Sequence, residues 1–332
     1  MASRPGRVKS GPDAAPPALP RPPRRRHPGT FRVSGFVAPP EARYWRGVGY
    51  LLVACLGFGI APSLARIAYD AGSDPPTAIL MRFTVATMVV TLLMRRLGRP
   101  LRLAPPVRRQ AMGIGLLAGL LSYGYLSAVA RIPVSVAALV FFTFPAMVAV
   151  AAHLTGQERL TPVRVAALAA AFAGIALVVG FEPGRTPDPA GLGLALLAAV
   201  CCAASILWTS RVLRRAEPLA VNAHAVLTAM AAYILLVAAQ GGPAWPVTAL
   251  GWAGLGGASA VYAAGFVSLF LAVQLLGPVR VATLGNIEPV IAVSAAVAIL
   301  GETVTPQQAV GVLVVLAALA GLQWRDPRPK GP

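Results

Sequence analysis

The feature that most constrains this chain is a series of apolar runs of about 20 residues, separated by short polar segments. A run of that length crosses a hydrocarbon core roughly 30 Å thick when it forms a helix. Hydrophobic residues make up 57% of the 332 residues and charged residues only 12%, which is too little polar surface for a soluble domain of this size. The sequence therefore predicts an all-α integral membrane protein.

Ten such runs follow one another, and each is predicted to form one transmembrane helix. The predicted spans are 47–68, 76–95, 110–129, 134–154, 162–181, 190–210, 219–239, 249–273, 279–300 and 305–323. Residues 1–42 are rich in proline and arginine and have no hydrophobic periodicity, so we predict a disordered basic tail there. Residues 324–332 are predicted to form a second, short tail.

The positions of the basic residues predict the orientation, because Lys and Arg accumulate in cytoplasmic loops. With the N-terminal tail in the cytoplasm, the inner segments contain all 29 Lys and Arg residues except Arg66, Arg82, Arg131 and Arg185. We therefore predict a multi-pass protein of the cell (plasma) membrane with both termini in the cytoplasm. The net charge of +18 is mostly this signature plus the basic tail. The tail suits contact with anionic lipid headgroups and not nucleic-acid binding, since no aromatic platform accompanies the charge.

The two halves of the chain resemble each other at an offset of 144 residues. The segment GQERLTP (156–162) matches GETVTP (301–306), and Pro145 falls on Pro289. Each half contains five predicted spans, and an odd number makes the second half enter the membrane from the opposite side. The predicted architecture is a 5+5 inverted repeat, which is typical of secondary transporters with a substrate site near the midplane. The two repeats are residues 45–182 and 190–323.

These motifs resemble those of a known family. VAALVFFTFPAMVAVAAHLTGQERLT and VATLGNIEPVIAVSAAVAILGETVT are similar to the fourth and ninth spans of EamA-type, ten-helix members of the drug/metabolite transporter superfamily. MRF at 81–83 resembles the family's early Arg–aromatic pair. The resemblance covers residues 45–323 and implies a 5+5 bundle and secondary transport of small metabolites, often outward and often of amino acids. Spans one and six lack a carboxylate, so the proton coupling of the four-helix relatives is not carried over.

Glu288 is the one acidic residue placed deep in a predicted span, roughly 12 Å from its inner end. Ionisable groups at that depth are costly and generally face an interior cavity. Pro289 frees the backbone carbonyl of Gly285 and Asn286 adds an amide, which together predict a broken helix that lines a polar cavity. Glu288 and Asn286 are therefore predicted substrate-binding residues. The alternative is a structural glutamate held between helices.

Arg82 lies roughly 10 Å from the outer end of span two and carries the complementary charge. In one interpretation it pairs with Glu288 or binds a substrate carboxylate, so that the two residues suit an α-amino acid. In the other, it extends to the outer membrane interface. His224 is assigned as its repeat counterpart, either as a proton relay or as a residue that bonds a neighbouring helix.

Tyr125, Trp208 and Tyr262 are predicted to wall the substrate site, although aromatic residues in membrane helices more often serve packing. Glu158 and Glu302 stand at span ends beside Thr-Pro pairs, and we predict that they are structural or gate-like. The cysteines and histidines have no metal-ligand spacing, so neither a metal nor a cofactor is predicted.

The favoured function is secondary transport of small polar metabolites by alternating access, with export of amino acids or related compounds as the leading form. The chain has no Walker motif, nucleophile–base pair or metal cluster, so an enzyme is not predicted. The alternative is a membrane-embedded scaffold or receptor without transport activity, and a membrane enzyme ranks after it. The predicted partners are a small-molecule substrate and membrane lipids, and a homodimer is left open.

Overall fold

The computed structural model describes residues 40–154, 162–179, 188–213, 216–276, 281 and 284–324, and within these ranges it contains helices and no strand. The helices are α1 (Pro40–Asp70), α2 (Pro75–Arg96), α3 (Pro105–Arg131), α4 (Val134–Phe141), α5 (Phe144–Leu154), α6 (Pro162–Val179), α7 (Pro189–Val212), α8 (Pro218–Ala239), α9 (Ala249–Leu276), a 3₁₀ turn (Gly285–Ile287), α10 (Glu288–Leu300) and α11 (Pro306–Trp324). Glu158 and the two predicted tails lie outside the described residues, apart from residues 40–42 in α1 and Trp324 in α11.

Within the described residues, seven helical stretches are long and apolar enough to cross a membrane, with α4 and α5 counted together as one. Three shorter apolar stretches, Val165–Gly174, Glu288–Leu300 and Pro306–Ala318, coincide with predicted spans five, nine and ten. Large apolar side chains such as those of Met88 and Leu235 are exposed, as expected where a helix faces lipid tails. The prediction of an all-α, multi-pass membrane protein is confirmed.

Acidic and hydroxyl side chains fix where several helices begin. The carboxylates of Asp74 and Glu217 each accept a hydrogen bond from the backbone N–H three residues further on, at the starts of α2 and α8. The hydroxyl of Thr305 accepts from the backbone N–H of Gln308, and the Gln308 side chain accepts from that of Thr305. This reciprocal pair is a capping box and confirms that span ten begins at Thr305–Pro306.

The packing of the helices follows a pseudo-two-fold symmetry between the halves. The most extensive pairings are α1 with α9, α3 with α7, and α6 with α11. These pairings join span one to span eight, span three to span six, and span five to span ten. Exchanging the two halves converts the first pairing into the second and leaves the third unchanged. The 5+5 organisation predicted from the repeat therefore reappears in the tertiary contacts.

Close helix contacts reveal a second repeated motif that sequence analysis missed. Gly124 lies against the α7 backbone at Ala198, and Gly265 lies against the α1 backbone at Ala54. Ala54 and Ala198 are 144 residues apart, whereas Gly124 and Gly265 are 141 apart. At the offset of 141, two segments of α3 match two segments of α9. GIG (113–115) matches GLG (254–256), and GYLS (124–127) matches GFVS (265–268). The motif was missed because an offset of 144 does not align these two helices.

Spans four and nine are both interrupted, at equivalent positions. Span four divides into α4 and α5, with a turn at Phe142 and Thr143 before the helix resumes at Phe144–Pro145. In span nine, the 3₁₀ turn precedes Glu288–Pro289. Span four, predicted over residues 134–154, therefore contains a break that the sequence analysis did not predict. Proline lacks an N–H and clashes with the carbonyl four residues earlier, and Pro145 stands in this relation to Phe141, the last residue of α4.

Candidate functional site

A cavity of about 330 Å³ lies between the two interrupted spans. Phe144 and Pro145 contribute one wall, and Gly285 and Glu288 contribute another. The remaining wall residues come from α1, α5, α7, α9 and the segments next to the interruptions: Leu51, Ala54, Cys55, Phe58, Phe142, Val148, Ile206, Leu269 and Val281. The cavity therefore combines both repeats, and Glu288 is the ionisable carboxylate among its mostly apolar lining residues.

Glu288 owes its place in the cavity wall to the interruption of span nine. It is the first residue of α10, and Pro289 follows it at once. The carbonyl of Gly285 accepts the backbone N–H of Glu288 and a long contact, 3.9 Å, from the thiol of Cys55. The carbonyl of Gly285 thus has hydrogen-bonding partners despite the break. The partial positive charge of the α10 N-terminus favours a carboxylate at position 288.

Arg82 is buried in the bundle, with 6% of the residue exposed. Its guanidinium carbon lies 4.2 Å from the centre of the Tyr262 ring, a cation–π contact between α2 and α9. The Tyr262 ring packs in turn against Phe58, with ring centres 5.3 Å apart, and Phe58 lines the cavity. Among the residues that the structure describes, no carboxylate lies within ion-pair distance of Arg82, so the predicted pairing of Arg82 with Glu288 is not found. The burial of Arg82 against Tyr262 does not fit an extension to the membrane interface. Binding of a substrate carboxylate by Arg82 stays a prediction.

Two tyrosines, Tyr125 and Tyr262, lie within electrostatic range of both the buried cation and the cavity carboxylate. The ring of Tyr125 packs on Phe141, with centres 4.8 Å apart, and so contacts the last turn of α4. Of the predicted site residues, Arg82 and Tyr262 are in direct contact, and Phe58 links that pair to the cavity whose wall includes Glu288. Asn286 lies two residues before Glu288, in the 3₁₀ turn.

His224 and Trp208 have other surroundings. The Nδ1 atom of His224 is 2.9 Å from the carbonyl oxygen of Ala220, one turn earlier in the same helix and not in a neighbouring one. Asp74 and Glu217 cap α2 and α8, which are the second helices of the two repeats, and these caps are 143 residues apart. At this offset, the counterpart of Arg82 is Ala225. The assignment of His224 to that place is wrong because it assumed a shift of two residues in the preceding loop.

Trp208 contacts a helix of the opposite repeat. A methyl group built on Gly113 of α3 would lie 2.5 Å from the edge of the Trp208 ring, and 38% of the tryptophan is exposed. This is the environment of a packing residue between α3 and α7. Its role in substrate binding stays a prediction.

Glu302 makes contacts that its position in the sequence did not disclose. One carboxylate oxygen accepts the backbone N–H of Val134 at 2.5 Å. The other accepts the backbone N–H and the hydroxyl of Ser135, at 3.1 and 2.6 Å. A glutamate of the second repeat thus caps α4 of the first. The repeated E-x-x-T-P motif marked this residue, but no sequence signal identified its partner.

Further polar contacts lie at the same end of the bundle. Arg66 pairs with Asp70 within α1 and donates to the carbonyl of Val129 in α3. Arg131 pairs with Asp188 across the repeats. The backbone N–H of Ala190, followed by Arg131, holds the pKa of the Asp188 carboxyl below its ordinary value.

Comparison with known proteins decides the family. The EamA-like transporter family matches the chain twice, over residues 45–180 and 189–323. The chain belongs to this family. No curated protein matches it. A crystal structure described only as that of a protein is similar over 82% of this chain and 96% of its own, with a TM-score of 0.55 and 21% identity. At that identity, the likeness supports the fold alone. Family and fold together identify a membrane transporter of small molecules, and the predicted resemblance is confirmed.

Proposed function

We propose that this protein is a secondary transporter of small polar metabolites that carry a carboxylate, with amino acids and related compounds as the first class to test. The observation that carries the proposal is the arrangement of opposite charges around the cavity between the interrupted spans. Glu288 faces this cavity, and Arg82 lies buried against Tyr262, whose ring packs on the cavity residue Phe58. A carboxylate on the guanidinium and an ammonium on the carboxylate would satisfy both groups.

The proposal includes orientation and mechanism. The basic residues favour the plasma membrane with both termini in the cytoplasm. The cavity then lies toward the cytoplasmic side, because its α7 and α9 residues, Ile206 and Leu269, come from the last third of each of these helices, which run toward the cytoplasm. A cavity at one end of paired, interrupted helices is what alternating access requires, and outward movement would make the protein an exporter. No enzymatic activity is proposed.

The direct test is counterflow in proteoliposomes with labelled amino acids, sugars, polyamines and nucleosides, beside a protein-free control. We expect amino acids or other carboxylates to exchange, and we expect the Glu288→Gln protein to exchange them poorly. Movement of polyamines alone would contradict the role assigned to Arg82. No movement of any class, with folded protein, would favour a scaffold or receptor.

A second arm separates the transporter from the scaffold. Deletion of residues 1–39 removes the basic tail and leaves α1 whole. A transporter core should retain its exchange activity after this deletion. A function that depends on the tail should be lost.

A further inference from the structure

The two ends of the interrupted spans are held in different ways. At the cavity end, Gly285 and Glu288 of span nine face Phe144 and Pro145 of span four across open space. At the opposite end, α10 ends at Leu300, and the next residue, Gly301, has a φ of 69°, in the left-handed region that glycine tolerates. This turn carries the chain to Glu302. The carboxylate of Glu302 then bonds the first residues of α4, so the spans are joined at this end and apart at the other.

The junction is built from one side chain of one repeat and a helix N-terminus of the other. The backbone N–H groups of Val134 and Ser135 have no partner within α4, because the first turn of a helix lacks the preceding carbonyls. Glu302 satisfies both of them, together with the Ser135 hydroxyl. A carboxylate also complements the partial positive charge of a helix N-terminus. Three charge-assisted hydrogen bonds therefore depend on α4 and α10 staying together at this end.

The apolar surface beneath the junction is closed. Ala292 and Ala296 of α10 pack in one buried cluster with Val136 and Leu139 of α4, and each of these residues is at most 3% exposed. Opening a path on this side would have to separate α4 from α10. That separation requires Glu302 to release its three donors.

We propose that Glu302 is a positioning residue that sets which side of the bundle the cavity faces. While its carboxylate caps α4, the far ends of spans four and nine are held together and the cavity is open only at the Glu288 end. Release of Val134 and Ser135 is the step that opens the Glu302 end. This inference rests on the proposed transport function, because only a transporter needs to open at both ends.

Cysteine modification tests the proposal without any substrate. The three native cysteines are replaced by alanine, and a single cysteine is placed either at Val148, which lines the cavity, or at Ala296, which is buried beneath the junction. Reaction with N-ethylmaleimide is timed for both reporters in full-length protein in nanodiscs. Monodisperse elution checks that each variant is folded.

Glu302→Gln is the test variant, because its amide nitrogen cannot accept a backbone N–H and its charge is lost. We expect the cysteine at position 148 to react more slowly and the cysteine at position 296 to react faster, each by at least about threefold, which is a shift of roughly 0.7 kcal/mol. Ser135→Ala should also slow the cysteine at position 148 and speed the cysteine at position 296, but by less than Glu302→Gln does. Combining the two substitutions should add little to Glu302→Gln alone, because they break one shared contact.

Glu217→Gln is the matched control. Glu217 caps α8, its own helix, through the Ala220 N–H at 2.6 Å, so the substitution removes a capping carboxylate without untying the repeats. Both reporter rates should stay as in the parent protein.

Unchanged rates in Glu302→Gln would overturn the proposal. Faster reaction at both reporters would also overturn it, because it would show a general loosening of the fold. A failed counterflow assay would count against transport and leave the labelling result standing.

Discussion

Spans four and nine occupy equivalent places in the two repeats and each contains a proline at the same position. They differ at the residue just before that proline. Span four has Phe144 at this position and span nine has Glu288. Both proline breaks put that residue at the start of a helix and on the cavity wall. The repeated backbone therefore supplies the shape of the cavity twice, while the carboxylate is supplied once. The symmetry of the fold builds the scaffold, and the departure from symmetry carries the proposed chemistry.

The same contrast applies to the buried cation. Arg82 is in the first repeat and stacks on Tyr262 of the second, whereas the counterpart of Arg82 is Ala225. Ala225 serves close packing, since its backbone lies where a side chain on Gly115 would be. One copy of the position thus carries charge, and the other carries a tight helix contact.

The largest expected effect comes from the residue that distinguishes the two breaks. Glu288→Gln should reduce exchange by about tenfold or more, because a hydrogen bond to a charged group contributes roughly 1.5–3 kcal/mol. Phe144→Leu, at the equivalent position, should change exchange by less than about twofold, since it keeps an apolar wall. Initial rates in proteoliposomes measure both. Equal losses in the two variants would mean that the shape of the cavity wall, and not the carboxylate, matters.

Exchanging the two residues sharpens this comparison. The double variant Phe144→Glu/Glu288→Phe keeps the composition of the cavity wall and moves the carboxylate to the other repeat. We expect it to fold and to exchange no faster than Glu288→Gln, because Arg82 and Tyr262 keep their places. Recovery of parental exchange would show that the position of the charge is unimportant.

The next effect concerns Arg82, the other half of the charge arrangement. Arg82→Lys keeps the charge but loses the planar fork that binds a carboxylate through two hydrogen bonds. We expect exchange of carboxylate substrates to fall roughly five- to tenfold, or about 1–1.5 kcal/mol, and that of neutral substrates to fall less. Arg66→Lys, the same change in an exposed ion pair, is the control. A similar loss for both substrate types would indicate a purely structural cation.

A smaller effect separates two equivalent glycines. A methyl group on Gly254 would lie 2.7 Å from the backbone oxygen of Leu64, whereas one on Gly113 would meet the partly exposed ring of Trp208. A backbone cannot move aside as a side chain can. We therefore expect Gly254→Ala to destabilise the protein by about 1–3 kcal/mol and Gly113→Ala by less. Thermal unfolding in detergent compares them, and the reverse order would show that the Trp208 ring is the more rigid neighbour.

The smallest expected effect on stability concerns the start of α11. Thr305→Ala removes the hydroxyl half of the capping box and should cost about 1 kcal/mol of stability. Thr303→Ala, an exposed threonine two residues earlier, should leave the unfolding midpoint unchanged. If both substitutions have the same effect, the box does not stabilise α11.

Much of this architecture could be predicted because it depends on local or one-dimensional properties. Apolar length predicted the spans, and Thr-Pro predicted the start of α11, because a membrane requires internally bonded helices and a helix requires capped ends. The proline break at Glu288 was predicted for the same reason. The equivalent break at Pro145 was missed because its surroundings, FFTFPAM, contain one threonine but no ionisable or amide side chain that signals a cavity.

What the sequence determined by itself is the presence of the rare groups: a carboxylate and a guanidinium at membrane depth and an acidic residue at a span end. Only the tertiary structure decided their partners. Arg82 meets Tyr262 of the opposite repeat, and Glu302 meets Ser135 across 167 positions of sequence. The physical reason is that hydrophobicity and capping act within one helix, whereas these contacts arise from the way the two inverted halves pack together.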